Sequence, residues 1–538
     1  MSPQSIVAST HRAVNAPPSS AAPLTTQTPQ TSFAPNSGGG GMRVTRRTLL
    51  ENSGAAAALA ALASACARPD IKGANDLAAL DAVETASRIK SGALSAIEAV
   101  EAAIARAEAL EPSINAIAFK SFDRARKNAG AATGPWAGVP TFIKDLDDVI
   151  GESSGFGSRA FPGYKGTEQS PLVNAYLGLG VVSLGKSTTP EFGLTATTEP
   201  LSTGKTRNPW NTDYSTGGSS GGAAALVAAG VVPVAHASDG GGSIRIPAAC
   251  CGNVGLKVSR NRFPVARPDP VGPINLSVHG VQSRTVRDTA AVVAAMEQAP
   301  DASGLPAVGL VTGPSDRRLR IAMFTAGGTG RLVDPEVVDA ARSAAKLCEG
   351  LGHKIEEMSV PFGRDVEEAF LTYWAAMAEA IVTTWENATR LKRNGLAFEP
   401  LTLGLVDYFE ARRDKLPAAI ARLQAVSREY EAMFATADVL LSPVLAAPPA
   451  KIGWLDVRVD FPEALERVSN YAQFTGLNNI AGAPAISLPL ATAQSGLPIG
   501  VMFGAKAGGE RTLLELSYEL EQAAPWSARK PPRFGGAA

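Results

Sequence analysis

Cysteine is nearly missing from this 538-residue sequence: there are four, two of them adjacent (Cys250, Cys251), and no CxxC pair. That excludes a disulfide framework and the usual zinc-binding spacing. Histidine is as scarce. His11, His236, His279 and His353 are scattered along the chain, which argues against a His-rich metal site. Neither sign of charge dominates, with 50 Lys+Arg against 50 Asp+Glu, so there is no basic footprint for nucleic acid. The apolar run from Gly54 to Ala65 falls short of the about 20 residues that a membrane span needs. What is present is an ordinary globular composition, 45% hydrophobic, long enough for a substantial core. The 53 glycines and 38 prolines forecast many turns and close backbone approaches.

Residues 1–41 are rich in Ser, Thr, Pro, Gln and Ala and close on four glycines; they are expected to be a disordered leader. Residues 42–67 read as an export signal: a basic start, a short apolar stretch and the small-residue site Ala63-Ser64-Ala65. Arg46-Arg47, preceded by Thr45 and followed by Leu49-Leu50, resembles a twin-arginine signal and implies a periplasmic destination. Cys66 directly after the site offers a lipid attachment point, although Ala63 stands where a lipobox prefers Leu. Met42 is an alternative start of the chain.

From about Asp76 the pattern becomes helical. Ser95-Ala96-Ile97-Glu98 reads as a capping box, Ile97, Val100, Ile104 and Ala107 fall on one helical face, and Pro112 marks the helix end. Thr141-Phe142-Ile143 is a buried strand ending at Lys144. Val181–Leu184 and Val231–Val234 are further strand candidates around a small-residue helix at Ala223–Ala229. Helical patterns cover 335–350, 417–435 and Arg511–Ala523, and strands return at Val439–Leu441 and Ile486–Leu488. Alternating strands and helices imply an α/β layered fold with a largely buried sheet, here a single domain over 68–538.

Two Gly/Ser runs stand out: Ser215–Gly222 and Ser238-Asp239-Gly240-Gly241-Gly242-Ser243-Ile244-Arg245. Flexible loops are the default reading, but both runs sit between apolar segments, where backbone N–H groups and hydroxyls suit an anion. No Lys follows Gly217–Gly222, so the P-loop fails, and the spacing matches a dinucleotide fingerprint only weakly. Gly217-x-Ser219-x-Gly221 fits a nucleophile elbow by spacing, which requires a histidine base. His353 in Gly352-His353-Lys354 reads as a solvated turn and His236 as a satisfied core residue. A serine can instead be activated by a lysine that burial keeps neutral, and Lys144 ends an apolar stretch; for a lone Lys beside Asp145 the rival is a surface ion pair.

Taken together, Gly138-Val139-Pro140 with Lys144-Asp145, the two Gly/Ser runs 24 residues apart from serine to serine, and Cys251-Gly252 with Gly255-Leu256-Lys257 resemble the amidase signature family. Asn208-Pro209-Trp210-Asn211 and Gly496-Leu497-Pro498-Ile499-Gly500 extend the match. The resemblance implies an α/β/α layered fold around a mixed, largely buried sheet, and hydrolysis of a linear or cyclic aliphatic amide. It implies Ser243 as nucleophile, Ser219 as proton relay after a cis peptide, and Lys144 as base. Backbone N–H groups of Gly240, Gly241, Gly242 and Ser243 would form the oxyanion hole, with Ser220, Asp239 and Arg245 as a supporting network. It implies no cofactor and no metal. Gly240 replaces a Thr or larger residue of the commoner pattern, which is expected to loosen the hole, and Ser238 replaces a Thr. Thr197–Pro200 and Pro525–Arg529 look closest to 6-aminohexanoate-cyclic-dimer hydrolases within the family. The acyl pocket is expected in 360–475, whose Phe370, Tyr373, Trp374, Trp385 and Tyr408 periodicity alone cannot sort.

The expected partner is a small-molecule amide, with no nucleic acid and no transmembrane span; a homodimer is admissible, since the sequence does not set the oligomeric state. Three rivals are an amidotransferase-type glutaminase subunit, which an export signal opposes, an α/β-hydrolase-type esterase, which needs a histidine, and an inactive binding protein of the same fold.

Overall fold

The computed structural model describes residues 74–266 and 270–536. The expected leader, the export signal and Cys66 lie outside them. Among the described residues no helix is long and apolar enough to cross a membrane.

The strands are β1 (Ile117–Lys120), β2 (Pro140–Lys144), β3 (Val182–Ser187), β4 (Arg207–Asn208), β5 (Asn211–Ser215), β6 (Val234–Asp239), β7 (Val254–Lys257), β8 (Val278–Ser283), β9 (Arg320–Met323), β10 (Lys354–Glu357), β11 (Val439–Pro443), β12 (Ala485–Thr492) and β13 (Pro498–Gly504). Eight form one mixed sheet in the order β10-β9-β11-β13-β12-β7-β8-β6, parallel from β10 to β11 and antiparallel beyond. A three-stranded sheet, β1-β3-β2, abuts β6: the Thr141 hydroxyl of β2 donates to Val234 O at 3.0 Å.

Strand alternation sends side chains to both faces. Ile321, Met323, Val439, Leu441, Val501 and Phe503 pack on one side, under helices Val286–Met296, Pro335–Gly350 and Glu510–Ala523. Their neighbours Ala322, Leu440 and Met502 face the other side, under Arg245–Cys251, Arg364–Thr389 and Leu416–Ala432. Both faces are covered, which is why these strands read as unbroken apolar runs. The architecture is the expected α/β/α layering.

The capping box is present: Glu98 N donates to Ser95 Oγ at 3.2 Å and Ser95 N to Glu98 Oε2 at 2.8 Å. Its helix runs Ala96–Ile114, through Pro112 rather than ending there, and Ile97 points to solvent. The strand expected at Val231–Val234 begins only at Val234 and continues through His236, Ser238 and Asp239. Those polar residues are buried because they border the site.

Candidate active site

Strand β2 delivers Lys144 to the seam between the two sheets. There Nζ lies 2.7 Å from Ser219 Oγ and 3.0 Å from Ser238 Oγ, and it reaches Ser238 O at 3.4 Å. The residue is wholly buried. Burial pushes its amine down to about 7 against the opposing pull of the Asp147 and Asp239 carboxylates. Lys144 is therefore no surface ion-pair partner of Asp145, whose carboxylate instead accepts from the Gly155 and Gly157 N–H groups.

Ser219 follows a cis Gly218–Ser219 peptide, the isomer expected there, and precedes helix Gly221–Ala228. A Cβ on Gly218 would lie 2.4 Å from Thr197 O, so no other residue fits at that position. Ser219 is buried against a lysine and not against a histidine, which removes the basis of the nucleophile-elbow reading.

Ser243 stands where β6 turns into helix Arg245–Cys251. The turn is built around Asp239, which takes Arg245 Nη2 (2.9 Å), Asn479 Nδ2 (2.8 Å) and Gly242 N (2.7 Å) on Oδ1, and Arg245 Nε (3.0 Å) and Ile244 N (3.1 Å) on Oδ2. Burial alone would raise this carboxyl's pKa, but the Arg245 guanidinium, the Lys257 ammonium and the Asn479 hydrogen bond together outweigh it and hold the group well below the usual carboxylate range. The expected supporting network is thus present, and Ser220 joins it: its hydroxyl donates to Ser238 O at 3.2 Å. The network also corrects the oxyanion hole. The Gly242 N–H is already given to Asp239, which leaves Gly240, Gly241 and Ser243 as candidate donors. Gly242 has a different duty. Its φ is +133°, and a Cβ would sit 2.3 Å from Thr475 Oγ1, the hydroxyl that donates to Gly241 O at 2.6 Å.

The motif Asn208-Pro209-Trp210-Asn211 clamps the far end of the Ser243 helix, where the last carbonyls lack helical partners. Asn208 Nδ2 donates to Cys250 O and Trp210 Nε1 to Cys251 O, both at 2.8 Å. Thr475, Asn478 and Asn479 were not singled out from the sequence. Their only signal is polarity around the short helix Gly476–Ala481, between apolar runs.

His236 and His353 both accept backbone N–H groups. His353 is buried, not a solvated turn: Nδ1 accepts from Leu319 N at 3.0 Å and Nε2 meets Glu519 at 3.0 Å. His236 is the core residue expected, held neutral because burial lowers its pKa to about 3. Asp147, His236 and His279 come close enough to suggest a metal site. The donor set does not suit one. His236 Nδ1 accepts the Lys144 backbone N–H at 3.3 Å, which puts the ring proton on Nε2, 3.1 Å from His279 Nδ1.

Ser243 opens on a cavity of about 190 Å³, with Gly193, Gly218 and Gly241 on one wall and mostly apolar side chains elsewhere. The structure sorts the aromatic residues. Phe370 and Trp374 line this cavity as a stacked pair, 5.6 Å between centroids. Tyr373 is core, its hydroxyl on Ile274 O; Trp385 packs on Phe398; Tyr408 lies under Arg412. Gly240 is not among the positive-φ glycines. Its missing side chain makes room for Trp374, as a Cβ there would meet the indole at 3.3 Å.

Known proteins are similar to this chain along most of its length. The Amidase family profile matches residues 98–514. AmiC of Mycobacterium tuberculosis (strain ATCC 25618 / H37Rv), an amidase by name, is 45% identical over 459 residues, 85% of this chain and 97% of that protein. The 6-aminohexanoate-cyclic-dimer hydrolase of Pseudomonas sp. (strain NK87) is 36% identical over 489 residues, 84% of this chain and 96% of its own. A solved structure of a 6-aminohexanoate cyclic dimer hydrolase with substrate superposes with a TM-score of 0.76 at 31% identity, covering 85% of this chain and 99% of that one. The chain belongs to the amidase signature family.

Proposed function

We propose that the protein hydrolyses carboxylic amides through an acyl-enzyme on Ser243, with Lys144 as base and Ser219 as relay. The observation that carries this reading is the fully buried Lys144 amine 2.7 Å from Ser219 Oγ, beside the cavity that Ser243 lines. Ser243 Oγ attacks the amide carbon while its proton passes through Ser219 to Lys144 Nζ. Negative charge develops on the carbonyl oxygen, to be met by the N–H groups of Gly240, Gly241 and Ser243, and losing one such donor typically costs about 10²–10³ in turnover. The proton then returns through Ser219 to the leaving nitrogen, the C–N bond breaks, and an amine departs. Water repeats the sequence on the ester, releasing the carboxylic acid and free Ser243. No cofactor takes part.

The mostly apolar cavity lining supports a neutral, largely apolar acyl half, since Glu367, the charged side chain on its wall, is already paired with Arg331. Likeness to the cyclic-dimer hydrolase supports linear and cyclic aliphatic amides as the class to test. Arg46-Arg47 supports action after export. The test is release of ammonia from butanamide and hexanamide, and appearance of the free amino group of the ring-opened 6-aminohexanoate cyclic dimer. Hydrolysis of at least one amide that Ser243→Ala abolishes is expected. No hydrolysis by the folded protein, or full activity in Ser243→Ala, would overturn the reading.

A further inference from the structure

A second cavity, of about 180 Å³, lies behind the first and is lined by Asp147, Ser238, Ser277, His279, Met377 and Ile381. The long helix Arg364–Thr389 borders both: Phe370, Leu371 and Trp374 face the cavity of Ser243, and Met377 and Ile381, one and two turns on, face the second. Gly240 sits between them. A Cβ there would meet Ser277 Oγ at 3.1 Å on one side and the Trp374 ring at 3.3 Å on the other. The indole is also pinned, since its Nε1 donates to Leu194 O at 3.2 Å, in the loop that walls the cavity of Ser243.

We propose that Trp374 is the specificity-determining partition of the acyl site: seated against the bare backbone of Gly240, it closes the cavity of Ser243 off from the second cavity and so limits the length of the acyl chain. The inference rests on the amidase reading, because the ligand it constrains is the acyl half of an amide. The second cavity holds about 180 Å³, and its Met377 and Ile381 side would receive the end of an alkyl chain. A Cβ at position 240 would crowd the indole at 3.3 Å, so the ring would have to give by a few tenths of an ångström to admit it.

The test uses acyl p-nitroanilides from butanoyl to dodecanoyl with wild type, Trp374→Ala and Trp374→Leu, each checked for folding by thermal melting. The kcat/KM ratio of decanoyl over butanoyl substrate is expected to rise at least about tenfold in Trp374→Ala, the low end of what one methylene commands in a fitted apolar pocket. Gly240→Thr is expected to be impaired alone and to regain activity when combined with Trp374→Ala. A second readout is binding of butanamide and decanamide to Ser243→Ala and Ser243→Ala/Trp374→Ala by calorimetry. If wild type cleaves neither these anilides nor butanamide, hexanamide and the cyclic dimer, the amidase reading is at fault, and the binding preference still decides the partition. Chain-length profiles that superimpose for wild type and both folded Trp374 variants would overturn it.

Discussion

The pH dependence of turnover follows from where Lys144 sits. With its pKa pushed down from 10.5 to about 7 by burial, half of the amine is neutral at pH 7. An ordinary lysine would be neutral there in roughly one molecule of three thousand, so burial raises the reactive fraction about a thousandfold or more. The neutral form is the base, so kcat/KM for an anilide is expected to fall as pH drops through about 7 and to level off above it. The Asp147 carboxylate opposes the downward shift, so Asp147→Asn is expected to move the rising limb to lower pH. Lys144→Arg places a permanently charged group at the same spot and is expected to lose about 10²–10⁴ in kcat/KM, with the melting temperature followed to show a folded protein. A flat profile between pH 5 and 9, or Lys144→Arg within a few-fold of wild type, would refute the reasoning.

Other variants probe the support around that base. Gly242→Ala is expected to add about 1–3 kcal/mol of backbone strain, on top of a Cβ contact at 2.3 Å with Thr475, and to abolish turnover; melting and kcat measure the two effects. Asp239→Asn strands the buried Arg245 charge and is expected to cost about 3–5 kcal/mol in urea unfolding. His353→Ala leaves Leu319 N–H unpaired and is expected to cost about 1–3 kcal/mol of stability with kcat/KM unchanged; a catalytic collapse in the folded variant would revive a histidine-dependent mechanism.

Much of the layering was legible because local signals agreed. The helix expected at 335–350 is Pro335–Gly350, and the strand ending at Lys144 ends there. The candidate catalytic residues were named through resemblance to the family's motifs, and the fold brings two of them, Lys144 and Ser219, together from 75 positions apart. What periodicity missed depends on distant contacts. His353 looked solvated beside Gly352 and Lys354, yet Glu519 covers it. The β6 strand was placed too early because its buried residues are polar, and an apolar criterion cannot see a strand whose side chains serve a site. Gly240 looked like added freedom until Trp374, 134 residues on, was found in the space it leaves. Gly242 belonged to a donor loop by sequence, but only the folded turn shows its N–H committed to Asp239.

The most direct test of the central claim is labelling with a serine-reactive fluorophosphonate, followed by mass spectrometry of the modified peptide. The account predicts one adduct, on Ser243, formed in wild type and lost in a folded Lys144→Ala. An adduct on Ser219 or Ser220, or undiminished labelling of Ser243 without Lys144, would contradict it.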